Sequence, residues 1–490
     1  MKKRVLAALL VSATVLSVAG CSNNTTSTSD SGATSSDTNV SDAGTSSDAG
    51  TSSDAGSSDV APAEEGKVLN IWCWNDEFQQ RITKFYPGYT DNGDGTGKIG
   101  DVTVKWTINP NKDNGYQIPL DAALADQKNV AADEKIDIFL IEADYADKYV
   151  NSTYSLPVSE VGITDADTAE MYEYTKTIAT DENGALKAVS WQATPGLFAY
   201  RRSIAKEVLG TDDPTEVQAQ LSDWTKFEEV AGKMKAAGYT MLAGYADAYR
   251  TFSNNVSAPW VVDGNLTVDA NIMKWADMTK KFQDNGYSNP NVGLWSGEWA
   301  TEQGPAGKTF GFFYSTWGIN FTLLGNSLAT PVADGGKEEV GNGIYGDYAV
   351  CEGPQAYYWG GTWICAAQGT DNTALIADVM KRMTCDTATM KQITMDTQDY
   401  TNNSVAMNEL ANDPTFGSAF LGGQNHIALF ASAAPNIDCS NMSAYDQIAN
   451  EQFQECMKDY FNGEADQATA LNNFYAKMKD TYPELTVPQA

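Results

Sequence analysis

The sequence predicts an α/β fold built on a mainly parallel sheet, with enough chain for two domains. Two observations predict it. Between residues 68 and 150, short apolar strands alternate with amphipathic stretches, as in a parallel sheet covered by helices on both faces. From Lys67 onward about 420 residues of ordinary apolar and high aromatic content remain, more than one core takes up.

The first 66 residues belong to neither domain. Lys2, Lys3 and Arg4 precede an apolar stretch at 5–18 that is too short to span a bilayer comfortably. Val18-Ala19-Gly20-Cys21 follows and matches the lipobox of bacterial lipoproteins. Residues 1–20 are therefore expected to be an export signal. Cys21 is expected to carry a lipid that holds the protein on the outer face of the bacterial cell membrane. Residues 22–66 are almost entirely Ser, Thr, Asp, Gly and Ala, with Ser41-Asp42-Ala43-Gly44 repeated from Ser47 and from Ser53. Such a segment cannot bury a core and reads as a flexible tether with a reach of roughly 35–40 Å.

The net charge is −32. Three basic residues fall within 1–20 and eight acids within 21–66, so the folded part stays near −27. That surface repels nucleic acid and disfavours an anionic solute, whereas a neutral ligand is compatible with it. Beyond Cys21 there are six cysteines, none in a CxxC spacing, and one histidine, His426. This argues against a zinc site and against a Ser-His-Asp or Cys-His enzyme. His426 reads as structural. Cys73 and Cys365 lie in apolar strands and read as buried free thiols. No cofactor is expected. In Asp91-Asn92-Gly93-Asp94-Gly95-Thr96-Gly97, a calcium loop starting at Asn92 would end on Thr103 rather than Glu, so a solvent-exposed turn is expected instead.

The elements follow in order. Residues 68–74 form a strand. A helix with Phe78, Ile82 and Phe85 on one face stops at Pro87-Gly88. A second strand covers 102–108. A helix covers 118–127, with Pro119 in its first turn and Ala122 and Ala125 among its buried positions. A third strand covers 136–141 and leads into helical sequence at 145–150. Later, Thr225 and Glu228 form a capping box for a helix with Phe227, Val230, Ala231 and Met234 inward and Gly238 as its stop. A strand at 308–314 turns into a helix at Ser315-Thr316-Trp317. The last part is helical, with one stripe at Leu375, Val379, Met380 and Met383. A second stripe runs through Ala468, Leu471, Phe474, Tyr475 and Met478.

In this order the chain resembles the extracellular sugar-binding proteins of ABC importers, of the maltose-binding type. The resemblance rests on several segments. A strand ends in Trp74-Asn75-Asp76-Glu77, and another runs from Asp137 into Asp144-Tyr145. Residues 190–202 look like a crossover into a second lobe. Residues 310–318 look like the family's strand-to-helix turn, whose Trp packs on sugar. Residues 359–367 look like the crossover back, and 462–471 like the C-terminal helix pair. The resemblance implies a two-lobed periplasmic-binding-protein fold of type II, each lobe a mainly parallel sheet flanked by helices, with ligand in the cleft between them. It places lobe one at 67–195 plus 362–425 and lobe two at 196–361 plus 426–490. It also implies a monomer that closes by a hinge and docks on an ABC permease.

A sugar presents an apolar C–H face and a rim of hydroxyls, so its site needs aromatic faces together with carboxylates, amides and a guanidinium. The expected contacts from lobe one are Trp74, Glu77, Asp144 and Tyr145. Those at the hinge are Trp191, Gln192 and Trp363. Those from lobe two are Trp317 and the cluster Tyr245, Asp247 and Arg250, in which Asp247 and Arg250 could also simply pair. Asn403 completes the set. Tyr145 stands where the maltose receptor has a basic residue. Trp72, Trp106 and Trp224 read as packing residues. Competing readings are a glycoside hydrolase, a surface glycan-binding module without a transporter, and a receptor for peptides or amino acids. The hydrolase needs two carboxylates at a set separation, and nothing in the sequence pairs them.

Overall fold

The structure is a computed structural model that describes residues 66–289 and 291–488. The expected export signal, the lipidated Cys21 and nearly all of the tether lie outside the described residues.

Twelve strands are found among the described residues. They are β1 (Val68–Cys73), β2 (Tyr89–Asp91), β3 (Thr96–Ile99), β4 (Val102–Ile108), β5 (Ile138–Glu142), β6 (Ala188–Ser190) and β7 (Gly196–Arg201), then β8 (Val261–Val262), β9 (Asn265–Leu266), β10 (Gly311–Ser315), β11 (Tyr348–Cys351) and β12 (Thr362–Ala366). A seven-stranded sheet runs in the order β2-β3-β4-β1-β5-β12-β6. Its centre, β4-β1-β5, is parallel. Its flanking pairs are antiparallel. β1 alternates half-buried and buried residues, whereas β5 has Ile138, Phe139, Leu140 and Ile141 all buried because helices cover both its faces.

The second sheet is β10-β7-β11 and is antiparallel, where a parallel one is expected from the resemblance. Connectivity explains the difference. β7 carries the chain away from the crossover, and β11 carries it back, so two adjacent strands must run in opposite directions. Phe198 on β7 meets Phe227, Phe310 and Phe313 at ring separations of 5.0–5.9 Å. Each such ring removes some 150–250 Å² from water, which makes this aromatic knot a main stabiliser of the second half.

Three segments pass side by side between the two sheets. The β6–β7 link runs beside the β11–β12 link, with Thr194 Oγ1 donating to Gly360 O at 2.7 Å and Trp359 N donating to Thr194 O at 3.1 Å. On its other side lies the stretch after helix Thr387–Thr397, where Ala193 N donates to Tyr400 O and Asn402 N donates to Trp191 O. Gly196 has no room for a side chain, since a Cβ there would fall 2.0 Å from the Tyr357 ring.

Some local expectations change. The helix near 118–127 is Gln117–Asp126 and buries Gln117, Leu120 and Leu124, while Ala122 and Ala125 face solvent. The larger Leu120 and Leu124, four residues apart, decide which face turns inward. Helix Trp224–Ala236 is capped by Asp223, whose side chain accepts from Lys226 N, so Thr225 lies inside the first turn and the capping box is not formed. Gly238 does stop that helix with φ +88°. In helix Gln467–Thr481 the buried stripe is Ala470, Phe474 and Met478, and Ala468 is exposed. The loop between β2 and β3 is a hairpin turn in which Asp91 accepts from Gly93 N and Asp94 from Thr96 N. Cys73, Cys351, Cys365, Cys385, Cys439 and Cys456 are free thiols, and Cys73 and Cys365 are buried.

Candidate functional site

Parallel strands end in loops at one edge of a sheet, and in open α/β sheets ligands bind there. At the end of β5, Glu142 Oε2 accepts from Asp144 N at 2.7 Å, which tightens the chain into a short turn and projects Asp144 outward. Asp144 meets Arg250 of helix Tyr249–Ser253, a residue from beyond the crossover. Arg250 Nη2 donates to Asp144 Oδ2 at 2.5 Å, and Nη1 donates to Oδ1. A two-pronged guanidinium–carboxylate pair fixes orientation as well as distance. Beside it lies a cavity of about 220 Å³ lined by Asp144, Arg250, Asn254, Tyr358, Asp446 and Asn450, among others.

Trp317 stands at the turn after β10, where Ser315 leads into the helical segment at Thr316. Its Nε1 donates to Trp359 O at 2.9 Å, which fixes the ring. Trp317 lies nearly parallel to Trp295 and edge-on to Trp359. Gly360 lets the edge of that ring pack close to the backbone. A Cβ on Gly360 would lie 3.0 Å from Trp317 Nε1 and 3.5 Å from Glu142 Oε1, so both groups pack against this glycine. The left-handed φ of +71° at Gly360 suits glycine for a second reason. The Nε1 edge of Trp317 thus lies close to Glu142 at the end of β5.

Electrostatics sharpen this description. Burial, with the nearby Asp144 charge adding to it, pushes Glu142 up to about 8. Burial likewise pushes Asp446 up to about 7. Burial raises Glu77 despite Arg81 beside it.

The other expected contacts are distributed as follows. Trp74 is half-buried and edge-on to Tyr116 and Tyr145 at 5.7 and 6.2 Å. Tyr145 itself is buried beneath it. Glu77 Oε1 accepts from Gln192 Nε2 at 2.9 Å and from Arg81 at 3.2 Å, and Gln192 also donates to Asp399. These groups tie the helix after β1 to the crossover. Trp191 and Trp363 are each 1% exposed. Trp191 stacks on Phe78 at 5.2 Å, and Trp363 Nε1 donates to Thr175 O, so both wall the hinge from within. Asn403 is 1% exposed and caps helix Ser404–Ala411. Tyr245 is half-buried against Phe461.

Asp247 and Arg250 do not pair with each other. Asp247 accepts from Gly244 N at 2.5 Å and from Trp299 Nε1 at 2.7 Å, and burial pushes it up to about 6. It holds Trp299, whose edge meets Trp295 at 5.3 Å. His426 is buried with Nε2 on Gln398 O, in a packing position. Sequence reasoning did not choose Glu142, which holds the Asp144 turn, or Trp295 and Trp359, whose rings pack with Trp317. Glu142 was legible as the strand's last residue, and Trp295 as an aromatic between Gly293 and Gly297.

No family model matches the sequence, and no curated protein matches it. Solved structures do match in fold. An extracellular solute-binding protein of family 1 aligns at TM-score 0.65 and 15% identity, over 85% of this chain and 99% of that one. The ABC-transporter-associated binding protein of B. animalis subsp. lactis, in complex with β-1,6-galactobiose, aligns at TM-score 0.61 and 15% identity, over 86% and 100%. The galacto-N-biose/lacto-N-biose I-binding protein of Bifidobacterium longum, in complex with lacto-N-biose, aligns at 0.62 and 13%, over 87% and 100%. With its strand-end cleft between two sheets and its three crossing segments, the chain has the two-lobed fold of the extracellular solute-binding proteins.

Proposed function

We propose that the protein is a substrate-binding protein that captures a neutral sugar or oligosaccharide between its lobes and hands it to an ABC importer. The observation that carries this reading is the cavity at the end of β5, where Tyr358, Asn254, Asp446 and Asn450 line a space beside the Asp144–Arg250 pair. A pyranose needs that combination, an aromatic surface under its C–H face and ion-paired or acidic groups at its hydroxyl rim. The sugar-bound structural neighbours support the ligand class. Lobe boundaries at 67–195 plus 362–425 and 196–361 plus 426–490 belong to the same proposal, as does membrane attachment through Cys21 and its polar tether.

The reading is one of binding without turnover. Asp144 is engaged by Arg250, and Glu142 is engaged by the Asp144 N–H, so neither is poised as a nucleophile across a free gap. Isothermal calorimetry against galactose, glucose, maltose, lacto-N-biose and β-1,6-galactobiose tests it. The expected result is saturable binding of at least one sugar with no reducing ends released. Binding of peptides alone, or hydrolysis of a bound sugar, would overturn it.

A further inference from the structure

A separate cavity of about 470 Å³ opens at the other end of the large sheet from Asp144. Lys135 precedes β5 and Asp144 follows it, so the length of that strand, about 16 Å, lies between the two spaces. Ala366 of β12 pairs with Ile138 at the start of β5, and Gln368 and Gly369 just beyond it form part of the cavity wall. The walls are pinned to one another. Gln127, just past helix Gln117–Asp126, donates from Nε2 to Ile136 O at 2.5 Å and accepts from Ile136 N at 2.9 Å. This clamp holds the Lys128 segment against the Lys135 segment. Gln368 N donates to Tyr154 O at 2.7 Å and ties the two remaining walls together.

The lining carries charge of one sign. Lys128 and Lys135 belong to it, and no carboxylate does. The cavity beside Arg250, by contrast, holds Asp144, Asp438 and Asp446. Neither lysine has an ion-pair partner among the described residues, although Asp126, Asp133 and Glu134 lie close in sequence. The hydroxyls of Thr153 and Tyr154 and the Gln368 amide add donors without a partner among the described residues. Leu124 and the Tyr154 ring add apolar surface. The protein as a whole is acidic, but the Debye length at physiological ionic strength is about 8 Å, so the nearest charges decide what enters. Two ammonium groups with neutral donors around them complement the oxygens of a phosphate group. The apolar wall gives the organic body of a phosphate ester a place to lie. We infer that this cavity is a second binding site, apart from the cleft, for a phosphate group carried on an organic body, with Lys128 and Lys135 pairing with its oxygens. A soluble phosphate ester and the headgroup of an anionic phospholipid are the two sources of that chemistry. The inference is independent of the sugar reading, since neither lysine lines the cavity beside Arg250.

The test uses the full mature chain with Cys21→Ser, which keeps a lipid anchor from masking vesicle binding. Calorimetry with glycerol 3-phosphate, with glycerol as control, examines the soluble source. Co-sedimentation with vesicles of phosphatidylglycerol and phosphatidylcholine, against phosphatidylcholine alone, examines the headgroup. The variant Lys128→Gln with Lys135→Gln is compared with Lys98→Gln with Lys105→Gln, which removes the same charge from β3 and β4. Thermal melts check that both fold. Saturable binding of glycerol 3-phosphate or of the phosphatidylglycerol vesicles is expected, weakened about tenfold or more by the first pair and unchanged by the second. Whichever probe binds names the source. Equal loss in both pairs would mean that net charge alone is responsible and would overturn the site. Undiminished binding without Lys128 and Lys135, or binding of neither probe by the parent chain, overturns it as well.

Discussion

The Glu142 carboxyl lies between the Asp144 N–H and Gly360, and its raised value of about 8 ties the end of β5 to pH. In the unfolded chain a glutamate titrates near 4.3. Between about 4.3 and 8 the unfolded chain has therefore released a proton that the folded protein still holds. Stability from this group is full below the unfolded value, falls as pH rises through that window, and levels off above it. Asp446, raised to about 7 by burial, acts in the same direction. Glu142→Gln keeps an oxygen for the Asp144 N–H and removes the ionisable group. Its melting temperature should exceed that of wild type at pH 8.5, and the difference should shrink towards pH 5. Scanning fluorimetry across pH 5–8.5 measures this, and two parallel curves would refute it. The position of Asp144 was legible from sequence as a strand end, whereas Trp317 was singled out only by the resemblance. The partner of Arg250 was not, since Asp144 lies 106 residues away and Asp247 only three.

Among elements, the strands were the most legible, because period and β-branched content mark β1, β4 and β5 directly. Helix starts were less so. At Asp223-Trp224-Thr225 two side chains could cap, and the backbone chose Asp223, whose extended φ and ψ of −155° and 165° aim its carboxylate at Lys226 N. That bond lowers the Asp223 pKa, so its contribution is present above the unfolded aspartate value and is lost as pH falls. Asp223→Ala should lower the urea midpoint of unfolding at pH 7, and Thr225→Ala should leave it unchanged. The reverse order would restore the capping box. Helix faces were misread where alanines were counted as core, as at Ala122, Ala125 and Ala468, because larger neighbours at helical spacing outbid small residues for the interior.

At the scale of the molecule, the two sheets are joined by three crossing segments and bridged across the cleft by Asp144 and Arg250. Burial works against the Arg250 charge, and the Asp144 carboxylate overrides it and pushes the guanidinium pKa up. The pair is therefore a charged tie between the end of β5 and helix Tyr249–Ser253. Removing one member leaves the other charge in a space it cannot occupy cheaply. Side-chain exposures of 22% and 28% place the loss below the ~3–5 kcal/mol of a fully buried pair. Arg250 regains water if the halves part, so the structure relieves the unpaired charge by opening. Asp144→Asn should thus raise the ligand-free radius of gyration seen by small-angle X-ray scattering, while a saturating sugar brings it back towards the wild-type value. The double variant Asp144→Asn with Arg250→Gln carries no stranded charge and should open less than Asp144→Asn alone. Identical scattering from all three ligand-free proteins would mean that the pair decorates the cleft without governing its closure.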